Sequence, residues 1–358
     1  MVRKNIKGEK MFPKNAWYVA ATSEELKDKP LGRQICSINM VFYRTSEGKI
    51  SALEDFCPHR GAALSLGYIE NNGIVCGYHG LKVGCKGQAI DMPGQNPKKI
   101  PCIKYFVTLE KYGFIWIWPG KSEKADESLI PELEWADNPE WAFAGGLFNI
   151  KCDYRFMIDN LMDLTHEKYV HGTSIGQEEI DESPVTTTME DGYVVTSRYM
   201  KNITAPPFWA LCMKNNNLDP SLSVDRWQKS KFVPPAAVFI DVGVALAGKG
   251  SKDASKEDKV RCTVVDFMTP QDEKSIWYFW GMARNFNPTN EQLTKDIQKG
   301  QGGIFEEDLE VLEFQQQNLE RFPNKSIISL DIDTGGKLSR RILNKMIKEE
   351  EEGYIDNK

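Results

Sequence analysis

The 358-residue sequence predicts an α+β chain: an all-β domain over residues 1–120, a linker over 121–145, and a second domain over 146–358 with a central antiparallel sheet and C-terminal helices. Three observations carry this. Up to residue 120, short strand-like runs alternate with turns and no long helical period intervenes. After Gly145, β-branched and aromatic runs follow one another without βαβ alternation. Helical periodicity is confined to a stretch around 155–170 and two long stretches at 290–321 and 336–351.

Taken in order, "RQICSINMVFYRT" and "KISALEDF" flank "SEG" and read as a hairpin. "NNG", "CKGQ" and "MPGQNP" are further turns, and "YGFIWIWPG" is an apolar strand stopped by Pro-Gly. "SEELKDK" is the one short helical candidate in this part. "KSEKADESLIPELEWADNPEW" is charged and punctuated by proline, as a linker is. "GYVVTSRYM", "AAVFIDVGVAL", "RCTVVDFMTP" and "SIWYFWGMA" supply strands of the second domain, and "IKEEEEGYIDNK" reads as a fraying helix end. The length exceeds what one ordinary core organises, so two domains are expected.

A net charge of −6 argues against nucleic acid as a partner, because the lysine runs are balanced by acids. "PPAAVFIDVGVALAG" is too short for a membrane span and carries two Pro and an Asp. No apolar segment of signal-peptide type follows the charged start, and a cytoplasmic location is expected. Eight cysteines in such a chain are not a disulfide framework. Cys36, Cys85, Cys102, Cys152, Cys212 and Cys262 stand alone and read as small packed residues. Cys85 is a spare candidate beside the second loop described next.

The four histidines fall into two clusters. In "CPHRGAALSLGYIENNGIVCGYHG", Cys57-x-His59 and Cys76-x-x-His79 occupy two tight loops. Zinc fingers usually put a Cys pair in one loop and a His pair in another. One Cys and one His per loop suits instead a two-iron, two-sulfide cluster, with both thiolates on one iron and both imidazoles on the other. Arg60 and Tyr78 lie beside the ligands, to hydrogen-bond the cluster or to pack.

The second cluster lies in "DNLMDLTHEKYVHG". Asn160, Asp163 and His166 are spaced i, i+3, i+6, as on one helix face. His171 falls roughly 140° further round an ideal helix. Both imidazoles reach one metal only if the helix ends or bulges between them, and Gly172 suits a chain turning there. Two histidines on a metal with open positions call for one carboxylate. Asp159, Asp163 and Glu167 are near in sequence. Asp308 is more distant, but it falls near the middle of the apolar face formed by Ile304, Phe305, Leu309, Leu312 and Leu319. A carboxylate aimed into a core needs a partner, and iron, an arginine or buried backbone would serve.

With both motifs in view, the chain resembles the Rieske non-haem iron oxygenases nearly end to end. Segments that carry the likeness include "FPKNAWYVA", "EDFCPHRGA", "CGYHGL", "MIDNLMDLTHEKYVH", "SIWYFWGMAR" and "DTGGKLSRRI"; residues 1–10 precede its usual start. The resemblance implies an N-terminal Rieske [2Fe-2S] domain and a helix-grip catalytic domain. It implies that Cys57, His59, Cys76 and His79 ligate the cluster and that His166, His171 and Asp308 hold a mononuclear ferrous iron. Asp163 would bridge a cluster histidine of one subunit to an iron-ligating histidine of its neighbour in a homotrimer, and Asn160 would stand near the iron as a non-ligand. A flavin- and ferredoxin-type reductase would deliver electrons from NADH through its own FMN. The implied reaction is monooxygenation of an aromatic acid by O2, as in O-demethylation of vanillate to protocatechuate and formaldehyde; hydroxylation or demethylation of another aromatic acid is the alternative. Phe208, Trp209, Trp227 and Trp280 are candidates to line a pocket, and Arg226 or Arg284 to meet a carboxylate. Each is equally explicable as core or surface, so none is assigned. An electron carrier with a degenerate second domain, or a zinc-stabilised binding module, are the readings from other classes.

Overall fold

The structure, a computed structural model, describes residues 11–355 and, for side chains, residues 11–352. Residues 1–10 and the end of the acidic tail lie outside the described residues. The chain forms two compact units. Of the described residues, one unit comprises 11–132, 269–273 and 347–355; the other comprises Leu133–Met268 and Lys274–Met346.

The first unit is built from ten strands: β1 (Tyr18–Thr22), β2 (Leu31–Ile35), β3 (Ile38–Arg44), β4 (Ile50–Glu54), β5 (Tyr68–Glu70), β6 (Gly73–Val75), β7 (Lys82–Gly84), β8 (Ala89–Asp91), β9 (Tyr105–Lys111) and β10 (Phe114–Trp118). They form a six-stranded sheet, β1-β10-β9-β4-β3-β2, and a four-stranded one, β5-β6-β7-β8. The hairpin expected around "SEG" is present: Arg44 pairs with Ile50 across the turn, and Gly48 supplies a positive φ of 81°. Residues 23–29, expected as a short helix, are turns instead. Thr22 and Glu25 exchange capping-box hydrogen bonds, but Pro30 follows before a helix can propagate.

The second unit centres on seven antiparallel strands: β11 (Ala142–Ile150), β12 (Val185–Glu190), β13 (Tyr193–Ile203), β14 (Val224–Val233), β15 (Ala237–Leu246), β16 (Lys259–Asp272) and β17 (Ser275–Arg284), in the order β11-β17-β16-β15-β14-β13-β12. Helices α1 (Tyr154–Leu161), α2 (Glu167–Val170), α3 (Glu179–Glu182) and α4 (Pro207–Asn215) interrupt the strands; α5 (Glu291–Arg321) and α6 (Thr334–Ile355) follow them. α5 is capped by Asn290, whose side chain accepts from the Leu293 amide at 3.0 Å. It buries Leu293, Ile297, Gln301, Ile304, Phe305, Asp308 and Leu312, a stripe at three- and four-residue spacing. α5 packs on β11 and β17. None of the described helices is long and apolar enough to cross a membrane.

The single helix expected at 155–170 is broken. α1 ends at Leu161, and a separate one-turn α2 begins after His166. The Asp163 carboxylate accepts from both the amide and the hydroxyl of Thr165 at 2.7 Å, which competes with continuation of the helix. Asn160, Asp163 and His166 therefore do not share one helix face.

In the β7–β8 hairpin, Gly87 has φ +80° and its carbonyl accepts from the Ile103 amide at 2.8 Å. A Cβ there would lie 1.8 Å from the Ile103 carbonyl oxygen. Gly87→Ala is expected to destabilise the first unit by at least about 2 kcal/mol, seen as a lowered Tm of the first thermal transition.

Candidate metal centres

The first centre rests on two loops with the same backbone design. The Cys57 amide donates to Ala62 O at 2.8 Å, and Cys57 O accepts from the Gly61 amide at 2.8 Å. In the second loop the Cys76 amide donates to Leu81 O at 2.8 Å, and Cys76 O accepts from the Gly80 amide at 3.0 Å. Each loop closes on a glycine of positive φ, 72° at Gly61 and 76° at Gly80. The repeated geometry sinks both cysteines into the core of Val41, Leu53, Leu64, Ile74 and Val83, while His59 and His79 remain exposed. The two imidazoles lie edge to face with centroids 4.5 Å apart, and Tyr78 packs on His79 at 4.0 Å. Burial raises the Cys57 pKa, as does the neighbouring Cys76 sulfur; the His59 and Arg60 backbone N–H groups act in the opposite sense and would stabilise a thiolate. Buried sulfurs behind and exposed imidazoles in front fit a cluster with two thiolate and two histidine ligands. Cys85 takes no part: its thiol donates to Asn72 O at 3.2 Å.

The second centre lies in the other unit. His166 and His171 stand at either end of the single turn α2, their ring centroids 5.3 Å apart. α5 brings Asp308 to them from far along the chain. Asp308 Oδ1 is 3.6 Å from His166 Nε2, and Oδ2 is 3.3 Å from His171 Nε2. One ligand atom from each of the three residues lies within 4.8 Å of the other two. Two imidazole Nε2 atoms and a carboxylate converging this way form the donor set of a 2-His-1-carboxylate iron site.

The surroundings orient these three groups. Asn160, on α1, donates its Nδ2–H to Asp308 Oδ1 at 2.9 Å. His171 Nδ1 is 2.7 Å from Glu307 Oε2, which also accepts from the Ser174 hydroxyl at 3.0 Å. Glu307 and Asp308 are consecutive on α5, so two neighbouring carboxylates address opposite nitrogens of one ring. On its own, burial would depress the His171 pKa; Asp308 and Glu307 outweigh it and raise the pKa above the ordinary value. His166 Nδ1 has no hydrogen-bond partner among the described residues and faces Asp163 Oδ2 at 4.0 Å. The other acids near in sequence are committed elsewhere: Asp159 pairs with Arg340, and Glu167 pairs with Arg198 at 2.9 Å and Arg226 at 3.2 Å.

The triad opens on a cavity lined by apolar Leu161, Leu164, Phe208, Val242, Ile304 and Phe305, and by the polar Asn160, Glu167, Arg226, Gln228 and Gln301. Of the aromatic residues considered from the sequence, Phe208 and Trp209 line it, whereas Trp227 is fully buried and bonds Asp241. Arg226 lines it too; Arg284 is turned to Asn287, Asn290 and Thr294. Sequence reasoning missed Glu307, and its only signal was adjacency to Asp308. Of the arginine pair on β13 and β14, it considered Arg226 and missed Arg198.

Two family models match the chain: the Rieske [2Fe-2S] domain over residues 16–112 and the vanillate O-demethylase oxygenase C-terminal domain over residues 150–349. The chain belongs to the vanillate O-demethylase oxygenase family of Rieske oxygenases. It is 58% identical, over 96% of its length and 97% of the relative's, to the vanillate O-demethylase oxygenase subunit of Pseudomonas sp. (strain HR199 / DSM 7063). Dicamba monooxygenase bound to 3,6-dichlorosalicylic acid superposes with a TM-score of 0.86 at 30% identity, covering 95% of this chain and 99% of that one. Dicamba monooxygenase with non-heme iron and dicamba does so with a TM-score of 0.80 at 29% identity, covering 95% and 98%. This Rieske oxygenase therefore uses a [2Fe-2S] cluster and a mononuclear non-haem iron.

If Glu307 sets the tautomer and angle of His171, Glu307→Ala should weaken ferrous iron binding by about 10- to 100-fold. Glu307→Gln, which can still accept from Nδ1–H, should recover part of the loss. Iron retained against a competing chelator measures both, with the visible spectrum of the [2Fe-2S] cluster confirming an intact first unit; wild-type retention in the alanine variant would remove Glu307 from this role.

Proposed function

We propose that this oxygenase removes the methyl group of vanillate or a closely related methoxybenzoate, yielding protocatechuate and formaldehyde in the case of vanillate. The observation that carries the reading is the His166, His171 and Asp308 triad at the wall of a mainly apolar cavity with a few polar groups. The similarity to the Pseudomonas subunit points the same way. The balance is one methoxyarene, O2, NADH and a proton giving one phenol, formaldehyde, water and NAD⁺. The cluster and the iron, once bound, supply electron delivery and oxygen activation. The protein holds the aromatic ring between Phe208, Phe305 and the aliphatic wall, keeps bulk water from the reacting carbon, and fixes three donors on one side of the metal.

We further infer that Cys57 and Cys76 hold one cluster iron and His59 and His79 the other. Asp163 is the proton-linked bridge: one of its oxygens is occupied by Thr165, and the other, facing His166 Nδ1, is available to a histidine of a second copy of the chain. A homotrimer would supply that histidine. The exposed Phe56, Leu66, Tyr68 and Tyr78 around the His59 and His79 loops support a docking surface there. A flavin- and ferredoxin-type reductase would feed the cluster from NADH, and a cytoplasmic location accords with that supply.

Ferrous-loaded protein with a compatible reductase, NADH, O2 and vanillate should form protocatechuate and formaldehyde in near-equal amounts to NADH consumed. Asp308→Ala should abolish both products. NADH oxidation giving mainly peroxide in the wild type would assign the cavity to another aromatic ether or acid. Asp163→Asn should leave cluster reduction by the reductase at the wild-type rate while product formation falls by at least about 100-fold; a variant that keeps its activity would rule out the bridge.

A further inference from the structure

One wall of the cavity carries a charge that the protein does not balance. Arg198 and Arg226 are 0% and 1% exposed, and the carboxylate nearest to both belongs to Glu167, itself 4% exposed. Glu167 Oε2 is shared between the two guanidinium groups, and Oε1 accepts from Gln228 Nε2. Gln228 Oε1 in turn accepts from Arg198. Two cations and one anion leave a surplus of one positive charge in a buried cluster. Asp225, the next residue to Arg226, does not neutralise it: its oxygens accept from the Asn202 and Gly248 amides.

Strand register sets the direction in which this cluster faces. Arg198 on β13 pairs with Gln228 on β14, and Gln228 with Val242 on β15. Arg226 lies two residues from Gln228 on the same strand, hence on the same face. Arg226, Gln228, Val242 and Glu167 all line the cavity that holds His166, His171 and Asp308. Arg226 gives one terminal nitrogen to Ile175 O at 2.9 Å and Gln177 Oε1 at 3.1 Å, and the other to Glu167. Its Nε–H is buried with no partner among the described residues. An uncompensated buried charge is expensive, and a cavity anion would neutralise it. Burial depresses the Arg226 pKa to about 10, with Arg198 adding to the effect and Glu167 opposing it.

We propose that Arg226, held in place by Glu167 and Gln177, is the carboxylate-recognition residue of the substrate cavity, so that the enzyme selects aromatic carboxylates over their neutral analogues. This rests on the methoxybenzoate reading given above. It separates two tasks within one cavity: the triad presents the iron to the ether carbon, and the β14 wall anchors the acid group that decides which end of the ring faces the iron. A guanidinium fits this purpose because it keeps its charge when buried, and here its Nε–H remains a donor without a partner among the described residues.

The test compares vanillate with vanillamide, which has nearly the same shape but no charge, by anaerobic calorimetric titration of the ferrous-loaded full chain. Wild type should prefer the acid by about tenfold or more. Arg226→Met leaves Glu167 paired with Arg198 as a neutral couple; in it vanillate should bind about 10- to 100-fold more weakly while vanillamide changes little. Arg226→Lys should fall between. Equal binding of acid and amide by wild type, or equal loss of both in Arg226→Met, would overturn the assignment; the second result would make Arg226 a brace for the Ile175–Gln177 segment. If Arg226→Met does not fold, the wild-type comparison and Arg226→Lys decide. Binding of neither compound by wild type would overturn the methoxybenzoate reading and this assignment together, whereas tight wild-type binding with an indifferent Arg226→Met would overturn this assignment alone.

Discussion

A carboxylate on the apolar face of a long helix is the constraint on which the second unit depends. Asp308 is 2% exposed and sits in the stripe that α5 turns inward. An uncompensated carboxylate in that position would cost on the order of several kcal/mol, more than most single packing contacts return. The fold meets the cost by bringing two imidazoles and the Asn160 amide to its oxygens. Among the described residues no arginine forms an ion pair with it, so its partners are groups that can share it with a cation. α5, α1 and the break between α1 and α2 must therefore be placed together, and the site and the packing have one origin.

The break itself shows how a small polar preference becomes geometry. Had α1 continued, His166 and His171 would have pointed well apart. Asp163 instead bonds the backbone and side chain of Thr165, which ends one helix and sets up the next turn. The same carboxylate keeps its second oxygen toward His166 Nδ1. A residue that shapes the backbone and also faces a metal-site histidine is constrained twice over, and a substitution there has two separable consequences, one on loop geometry and one on the setting of His166.

Legibility in the sequence followed the range of the interactions. The hairpin around Gly48, the strand of Phe114–Trp118 and the long helix at Glu291–Arg321 are set by local periodicity and turn chemistry, and they were readable. Asp308 was readable because an acid in an apolar stripe violates its surroundings. The "SEELKDK" helix was not borne out, because a good capping pair cannot propagate a helix into a proline. Strand β14 was overlooked for a different reason. "VDRWQKSKFV" reads as a half-exposed polar segment, yet Arg226, Gln228 and Ser230 are all buried. The partners of Arg226 and Gln228, namely Glu167 and Arg198, lie 30 to 61 residues away in sequence, and no local pattern announces such a pairing.

That strand also explains why the cavity is asymmetric. A Rieske oxygenase cavity must be dry beside the iron, since water there would compete with substrate for the reacting position, and the apolar wall of Val242, Ile304 and Phe305 supplies this. A wholly apolar cavity, however, would accept an aromatic ring in any orientation. A single buried guanidinium at one wall breaks that degeneracy: a carboxylate placed elsewhere in the cavity would be left desolvated and unpaired, so the wrong orientations are penalised more than the right one is rewarded. The surplus positive charge of the Arg198–Glu167–Arg226 cluster is then a specificity element held in reserve by the protein, carried at a cost to the stability of the free enzyme and relieved when an anion binds.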